Sequence, residues 1–233
     1  MTLSTLSFCL AYNGDIKDAK EILKKSLIYN NIYKKYIEFV ICDFSRNNDL
    51  YEWIIKNCSE ELKIGYLKYF RKDNLVRWHG SIAKNITVSN ASKDIIIIVD
   101  NGVLIDLKST IQVMKSFFEN NRTVVHIQSA QEITYYGYLA VPKEYFTLVG
   151  GFDESFEPVG YQEADLLERL NRLGLNINSY QQKDIDNYSF KLTLNTFGYT
   201  SVEYNRMLMS NYKKSRNKIL NGFIISKINN NLM

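Results

Sequence analysis

Four isoleucines and a valine, Ile95–Val99, run unbroken between Asp94 and Asp100. A run this short does not make a helix. Without a polar residue in alternation it has no wet face either, so it predicts a strand buried on both sides. Such strands sit in the middle of parallel α/β sheets, with helices covering both faces. Other segments repeat the pattern. Residues 3–11 are mostly apolar and meet a turn at Tyr12-Asn13-Gly14, which predicts a buried first strand. Asp15 can cap a helix through about residue 29, whose Ile16, Ala19, Ile22, Leu23 and Leu27 share a face. Further strands are expected at residues 37–42, ending at Asp43, and at 62–69, 123–127, 134–141 and 175–180. Between them, residues 107–120 read as a helix from the spacing of Ile111, Met114, Phe117 and Phe118. With 233 residues and 45% hydrophobic content, the chain can build one α/β domain with a substantial core.

The chemistry-bearing part follows residue 149. Gly150-Gly151 reads as a helix stop, because glycine takes left-handed backbone at little cost. Gln162, Glu163 and Asp165 then fall in the first turn of a helix whose buried stripe is Leu166, Leu167 and Leu170, with Gly174 closing it. Carboxylates there are favoured by the exposed N–H groups of the helix start. The same acids suit an ordinary first turn and a general base held rigidly at a cleft.

Residues 150–154, Gly-Gly-Phe-Asp-Glu, with Gln162-Glu163-Ala164-Asp165-Leu166, resemble the G-G-F-D-E plus E-D-x-D-L signature of inverting GT-A glycosyltransferases. The likeness is to the family 2 type and covers roughly residues 3 to 180. It implies a GT-A fold: a mostly parallel central sheet flanked by helices, followed by a C-terminal helical segment. It also implies transfer of a sugar from a nucleotide-diphosphate donor to a hydroxyl of a glycan or lipid-linked acceptor. The catalytic base would be Glu163, or Asp165 if the register slips, since Gln162 stands at one acidic position of the pattern. Gly151, Tyr161 and Gln162 would lie on the acceptor side. Ala11 and Asn13 end the first strand where the family has P-T-Y-N, and Asp43 stands where it keeps an aspartate for the nucleotide base. Lys84 and Asn85 match its A-R-N element, near the donor diphosphate and nucleoside. Asp100-Asn101-Gly102 occupies the place of D-x-D, which holds Mn²⁺ or Mg²⁺ in the usual mechanism. Gly102 replaces the second acid, and losing an anionic ligand weakens a hard-metal site. Three readings stay open: Asp100 with Asn101 and water holds a metal, Lys84 or a C-terminal cation replaces it, or the chain is a binding or scaffolding module. Tyr135, Tyr136 and Tyr138 suit either strand packing or stacking on a sugar.

Residues 1–200 are expected to form the transferase-like domain and 201–233 a basic, amphipathic helical extension packed on it. Lys213, Lys214, Arg216 and Lys218 stand just before Ile219, Leu220, Phe223, Ile224, Ile225 and Ile228. That pattern suits a helix on the core, a dimer interface or peripheral contact with an anionic membrane. No stretch approaches the about 20 apolar residues that span a bilayer. The net charge of +4 suits an anionic donor and is too small and dispersed for nucleic acid. Cys9, Cys42 and Cys58 lack metal-ligand spacing and read as buried thiols of a reducing compartment. A cytoplasmic location is expected, at the inner membrane face if the basic segment docks. A Rossmann dinucleotide binder is disfavoured, since no G-x-G-x-x-G follows the first strand.

Overall fold

The computed structural model describes residues 4–14, 19–72, 75, 77–100, 102–129, 138–182 and 198–226. Asp15, Ile16, Asn101, Tyr135, Tyr136 and Ile228, singled out by sequence, lie outside them. The strands are β1 (Leu6–Tyr12), β2 (Ile37–Asp43), β3 (Leu67–Arg71), β4 (Ile95–Val99), β5 (Thr123–Ser129), β6 (Tyr138–Pro142) and β7 (Asn176–Gln182). They form one sheet in the order β3-β2-β1-β4-β6-β5-β7. All neighbours are parallel except β6, which runs antiparallel to both β4 and β5. The chain therefore reverses its direction of winding at β1 and β4, which pair directly through Leu6↔Ile95 to Leu10↔Val99. A crevice opens outside strand ends at such a switch point, and ligands of open α/β sheets sit there.

The helices are α1 (Ala19–Asn30), α2 (Asp49–Asn57), α3 (Ser59–Lys63), α4 (Gly80–Ser89), α5 (Leu107–Glu119), α6 (Lys143–Leu148), α7 (Gln162–Arg172) and α8 (Ser201–Leu220). Burial of β4 is complete, with every residue from Ile95 to Val99 inside. One core joins β1, β2 and β4 to α1, α2 and α5 around Phe8 and Phe39, whose rings stack at 5.0 Å. The other face packs Cys9, Val40, Ile96 and Ile98 beneath α4, α6 and α7, where Leu166 and Leu170 are fully buried. The three cysteines are buried free thiols. Burial pushes Cys42 and Cys58 up to about 11, so neither thiol is reactive near neutral pH.

Two sequence expectations are corrected, and for Tyr138 the packing alternative holds. The third strand begins at Leu67 rather than 62, because Leu62 belongs to α3 and Gly65, at φ +72°, turns the chain after that helix. The α5 face differs as well: Thr110, Val113, Met114 and Phe117 are buried, whereas Ile111 and Phe118 are exposed. Tyr138 packs in the core and donates its hydroxyl to the Leu104 carbonyl, which leaves no ring face for a sugar.

The C-terminal segment is one helix followed by a short strap. A capping box between Thr200 and Glu203 starts α8. Met207, Asn211, Ser215 and Ile219 share its buried face, which lies against α7 and the loop before it. The basic cluster divides: Lys218 pairs with Asp153 and Lys214 donates to the Ser155 carbonyl, while Lys213 and Arg216 stay exposed. Past Gly222 the strap reaches Ser226, which bonds Val149, Gly150 and Gly151 and leaves Phe223 and Ile225 exposed.

Candidate active site

The double glycine turns the chain through two left-handed residues, Gly150 at φ +73° and Gly151 at φ +62°. A side chain on Gly151 would meet Asn85 Oδ1 at 2.6 Å and the Phe146 ring at 2.9 Å, so only glycine fits. Asn85, on α4, holds the next residues. Its Oδ1 accepts from Phe152 N–H at 2.9 Å, and its Nδ2 donates to Phe152 O and Glu154 Oε1, each at 2.9 Å. The amide expected near the nucleoside is thus spent on fixing the loop.

The chain then passes Gly160 and Tyr161 into α7. Tyr161 is the one non-glycine residue with positive φ among the described residues, at 68°. That backbone costs roughly 1–2 kcal/mol and recurs where a functional geometry is imposed. Around it the loop is strongly held: buried Asn211 of α8 donates to the carbonyls of Glu157, Val159 and Gly160 and accepts from Glu157 N–H at 2.6 Å. Gln162 donates to the carbonyls of Pro158, at 3.0 Å, and Glu157. A carboxylate could make neither bond, which explains why an amide stands at the acidic position of the pattern.

The two candidate bases separate. Asp165 is turned inward and paired with buried Arg169 at 2.8 Å. Arg169 also donates to the carbonyls of Val149 and Gly151, so this pair clamps the glycine turn. Glu163 is turned toward the end of β4 instead. Its carboxylate accepts from Lys84 Nζ, which also lies 3.0 Å from Asp100 Oδ1 at the end of β4. One ammonium thereby joins α4, α7 and the switch point. Lys84, Glu163 and Asp100 keep 14%, 14% and 20% of their side-chain exposure.

Burial disfavours charge on all three groups. For Lys84 the two carboxylates outweigh it and raise the amine above its ordinary value. For Glu163 the ammonium outweighs it and lowers the carboxyl. For Asp100 burial prevails, helped by the Glu163 charge, and its carboxyl is raised. Sequence did not single out two further neighbours as site residues, His126 of β5 and Tyr204 of α8. Burial takes the His126 imidazole down to about 4 against the pull of Glu163, so it stays neutral at physiological pH. Burial and the Glu163 charge together raise the Tyr204 hydroxyl. Neither residue carried a local motif; only tertiary packing brings the Glu163 charge to bear on them.

At the other side of the β1 end, Ala11 is buried one residue before the strand finishes at Tyr12, and Asn13 follows it. Both polar atoms of the Asn13 side chain are buried without a partner among the described residues. Such groups are costly unless water or a ligand pairs them. Asp43 is fully buried, accepting from Tyr69 Oη at 2.6 Å and from Ser45 N–H at 2.8 Å.

Among the described residues, Asp100 is the one carboxylate that the end of β4 offers a divalent metal, and Asn101 beside it lies outside them. Gly102 offers no side chain, and Asp100 already faces an ammonium. No three His, Cys, Asp or Glu side chains converge among the described residues. Hard dications take several oxygen ligands, mostly anionic, and here a lysine sits among the acids instead.

No family model matches the chain, and no curated protein sequence matches it. Solved structures do match in fold. The mannosyltransferase PcManGT from Pyrobaculum calidifontis, in complex with GDP-Man and Mn²⁺, superposes with a TM-score of 0.68 at 13% identity, covering 93% of this chain. GalNAc-T7 with UDP, GalNAc and Mn²⁺ gives 0.61 at 13% identity over 78% of the chain, and S. aureus TarS 0.59 at 13% over 77%. The chain therefore has the GT-A fold, the architecture of these nucleotide-sugar glycosyltransferases. It spans 65%, 44% and 35% of the three, less than two thirds of each.

Proposed function

We propose that this protein transfers a sugar from a nucleotide-diphosphate donor to a hydroxyl acceptor, with inversion at the anomeric carbon. The observation that carries this reading is the single Lys84 ammonium shared by Asp100 and Glu163 at the mouth of the β1–β4 crevice. The nucleoside would lie against Ala11 and the orphaned amide of Asn13, with Asp43 and Asn85 acting one step behind as positioning residues. Asp100 would face the ribose. Lys84 is the cation available to the diphosphate, standing where related enzymes use a metal.

This arrangement couples donor binding to base strength. With Lys84 against it, Glu163 is a weak base, because the ammonium stabilises the carboxylate. A diphosphate that draws Lys84 away removes that stabilisation and makes Glu163 more basic. Glu163 then takes the proton of the acceptor hydroxyl, the hydroxyl oxygen bonds to the anomeric carbon, and the bond to the nucleoside diphosphate breaks. Asp165 has no part in proton transfer in this scheme.

For the acceptor we propose a glycan or a lipid-linked saccharide. Exposed Leu220, Phe223 and Ile225 beside Lys213 and Arg216 suit peripheral contact with an anionic membrane, and with it a site at the cytoplasmic face. A second reading has its own support: Gly102 in place of an acid suits a nucleotide-binding module without turnover.

The test is release of free nucleoside diphosphate from a panel of nucleotide sugars, without acceptor, by wild-type protein and Glu163→Gln. Slow release from one donor by wild type, lost in Glu163→Gln while nucleotide still raises the melting temperature of both, is the expected result. Thermal stabilisation without release in wild type favours the binding module. Full release by Glu163→Gln removes the base assignment.

A further inference from the structure

A second concave site lies beside the one described and takes no part in the scheme above. It is a cavity of about 320 Å³ where the start of α4, the loop before α7 and the first turns of α8 meet. Its floor is apolar and partly aromatic: Trp78, Tyr199 and Met207 belong to one cluster with Val159. Its rim is charged in balance. Arg77 faces Glu203 at 3.7 Å, and Arg206 faces Glu157 at 3.8 Å. Both contacts are longer than hydrogen bonds and the four side chains are substantially exposed; Arg77 also donates to the Gly198 carbonyl and Glu203 accepts from Thr200, so Arg206 and Glu157 keep the most donor and lone-pair capacity to spare.

These features select a ligand class. A phosphate or another anion is bound by an excess of positive charge, and here two guanidiniums are matched by two carboxylates. A purely apolar ligand would leave the four charged groups without use. A neutral saccharide satisfies both halves: its hydroxyls pair with planar guanidinium and carboxylate groups, and its C–H face covers the half-buried Trp78, the Tyr199 ring being buried beneath the Arg77 guanidinium. The volume lies at the lower end of the about 300–1,000 Å³ range of small-molecule sites, room for a mono- or disaccharide unit.

The cavity wall is also tied mechanically to the reacting centre. Pro158, in the wall, accepts from Gly80 N–H at 2.8 Å and from Gln162 Nε2 at 3.0 Å. Gly80 opens α4, which carries Lys84, and Gln162 precedes Glu163. His79, at the N-cap of α4, contacts the Phe156 carbonyl through Nε2 at 3.1 Å. A ring held in the cavity is thus in fixed register with both helices that build the site. We propose that this cavity binds a neutral saccharide unit of the acceptor, remote from the hydroxyl that reacts. The acceptor role rests on the transferase reading; saccharide binding itself does not.

The experiment measures binding of neutral and uronic-acid-containing oligosaccharides by saturation-transfer NMR, without donor, to wild type, Arg206→Ala and Glu157→Gln. Donor-only release of nucleoside diphosphate is followed in parallel. Wild type is expected to bind a neutral oligosaccharide, each rim variant to weaken it about tenfold, the worth of one good hydrogen bond, and donor-only release to stay within about twofold. Absence of binding by wild type, preference for the anionic sugars, or binding unchanged in both variants overturns the proposal. So does donor release that falls in step with saccharide binding, since the cavity would then belong to the donor. If wild type never releases nucleoside diphosphate yet loses saccharide binding in both variants, the cavity stands and the transferase reading falls.

Discussion

The Lys84 ammonium donates to the Glu163 carboxylate across 79 residues of sequence, joining the second turn of α4 to the first turn of α7. Lys84→Met removes the cation and leaves Glu163 and Asp100 as two acids in a confined space. Breaking a buried ion pair from one side costs about 3 to 5 kcal/mol, and in a chain of this size each kcal/mol lowers the melting temperature by about 2 to 4 °C. The loss depends on pH. Glu163 titrates below its ordinary 4.5 in the folded protein, so its share is present above that pH and vanishes as pH falls through the folded value. Lys84 titrates above its ordinary 10.5, so its share is full below that pH and fades only as pH rises through the folded value. Asp100, raised by burial, works against the pair. The stability gap between wild type and Lys84→Met is expected to be widest between the two ordinary values and to close on acidification, as read from urea melts across pH.

Asp165 and Glu163 share one helical turn and should behave oppositely on substitution. Asp165→Ala strands Arg169, 3% exposed, and loosens its grip on the Val149 and Gly151 carbonyls. A loss of about 3 to 5 kcal/mol is expected, with donor release retained by whatever protein stays folded. Glu163→Gln should lower transfer by about 100- to 10,000-fold with a smaller fall in melting temperature than Asp165→Ala, because Lys84 keeps Asp100 as a partner. Melting curves and acceptor-dependent turnover on both variants check this, and the reverse pattern would exchange the roles.

Much of this was readable from the chain. Ile95–Val99 announces a doubly buried strand because nothing polar interrupts it, and Gly150-Gly151 announces a left-handed turn because no other residue takes it cheaply. The different surroundings of Glu163 and Asp165 were not readable. Both lie in the same turn, and what divides them is Arg169, one helical turn further on, which reaches Asp165 but not the crevice. His126 and Tyr204 were hidden for a different reason: each belongs to a segment distant in sequence, and only tertiary packing gives it Glu163 as a neighbour. Leu62 misled because an apolar residue in a five-residue helix looks, in isolation, like the start of a strand.

Gln162→Glu restores the acidic residue of the sequence pattern and should nevertheless destabilise the protein. The Gln162 amide donates to two carbonyls, and a carboxylate in its place would face them without a proton to offer. Unsatisfied buried acceptors cost about 1 to 3 kcal/mol, more for a charged group. Protonating the new carboxyl restores a donor, so the deficit against wild type should shrink at low pH. An equal deficit at pH 4 and pH 8 would contradict this account.

Alanine at the two glycines after α6 and α7 should differ sharply. Gly151 and Gly174 both have positive φ, at 62° and 86°, so each substitution bears the roughly 1–2 kcal/mol cost of left-handed backbone. Beyond that, a Gly174 Cβ would approach only Arg122 Nη2, at 3.6 Å, while a Gly151 Cβ would sit 2.6 Å from Asn85 Oδ1. Gly151→Ala must therefore displace Asn85 and the Phe152 loop it holds. Hydrogen exchange at residues 150–156 is expected to rise in Gly151→Ala and to match wild type in Gly174→Ala.

Metal dependence tests whether Lys84 is the working cation of the site. Asp100 is the single acid at the end of β4 among the described residues, and its Oδ1 is 3.0 Å from Lys84 Nζ. A dication entering there must displace or repel the ammonium. Donor release is accordingly expected to persist in EDTA within about twofold, and to fall by about 100-fold or more in Lys84→Met, the usual scale for removing one preorganised charge at a developing anion. Added Mn²⁺ distinguishes two kinds of failure in that variant. With the ammonium gone, Asp100 and Glu163 are free to take a metal, so partial rescue would mean that lysine and metal compete for one position. Abolition of wild-type release by EDTA, restored by Mn²⁺ or Mg²⁺, would instead make Asp100 a metal ligand and Lys84 its positioning partner.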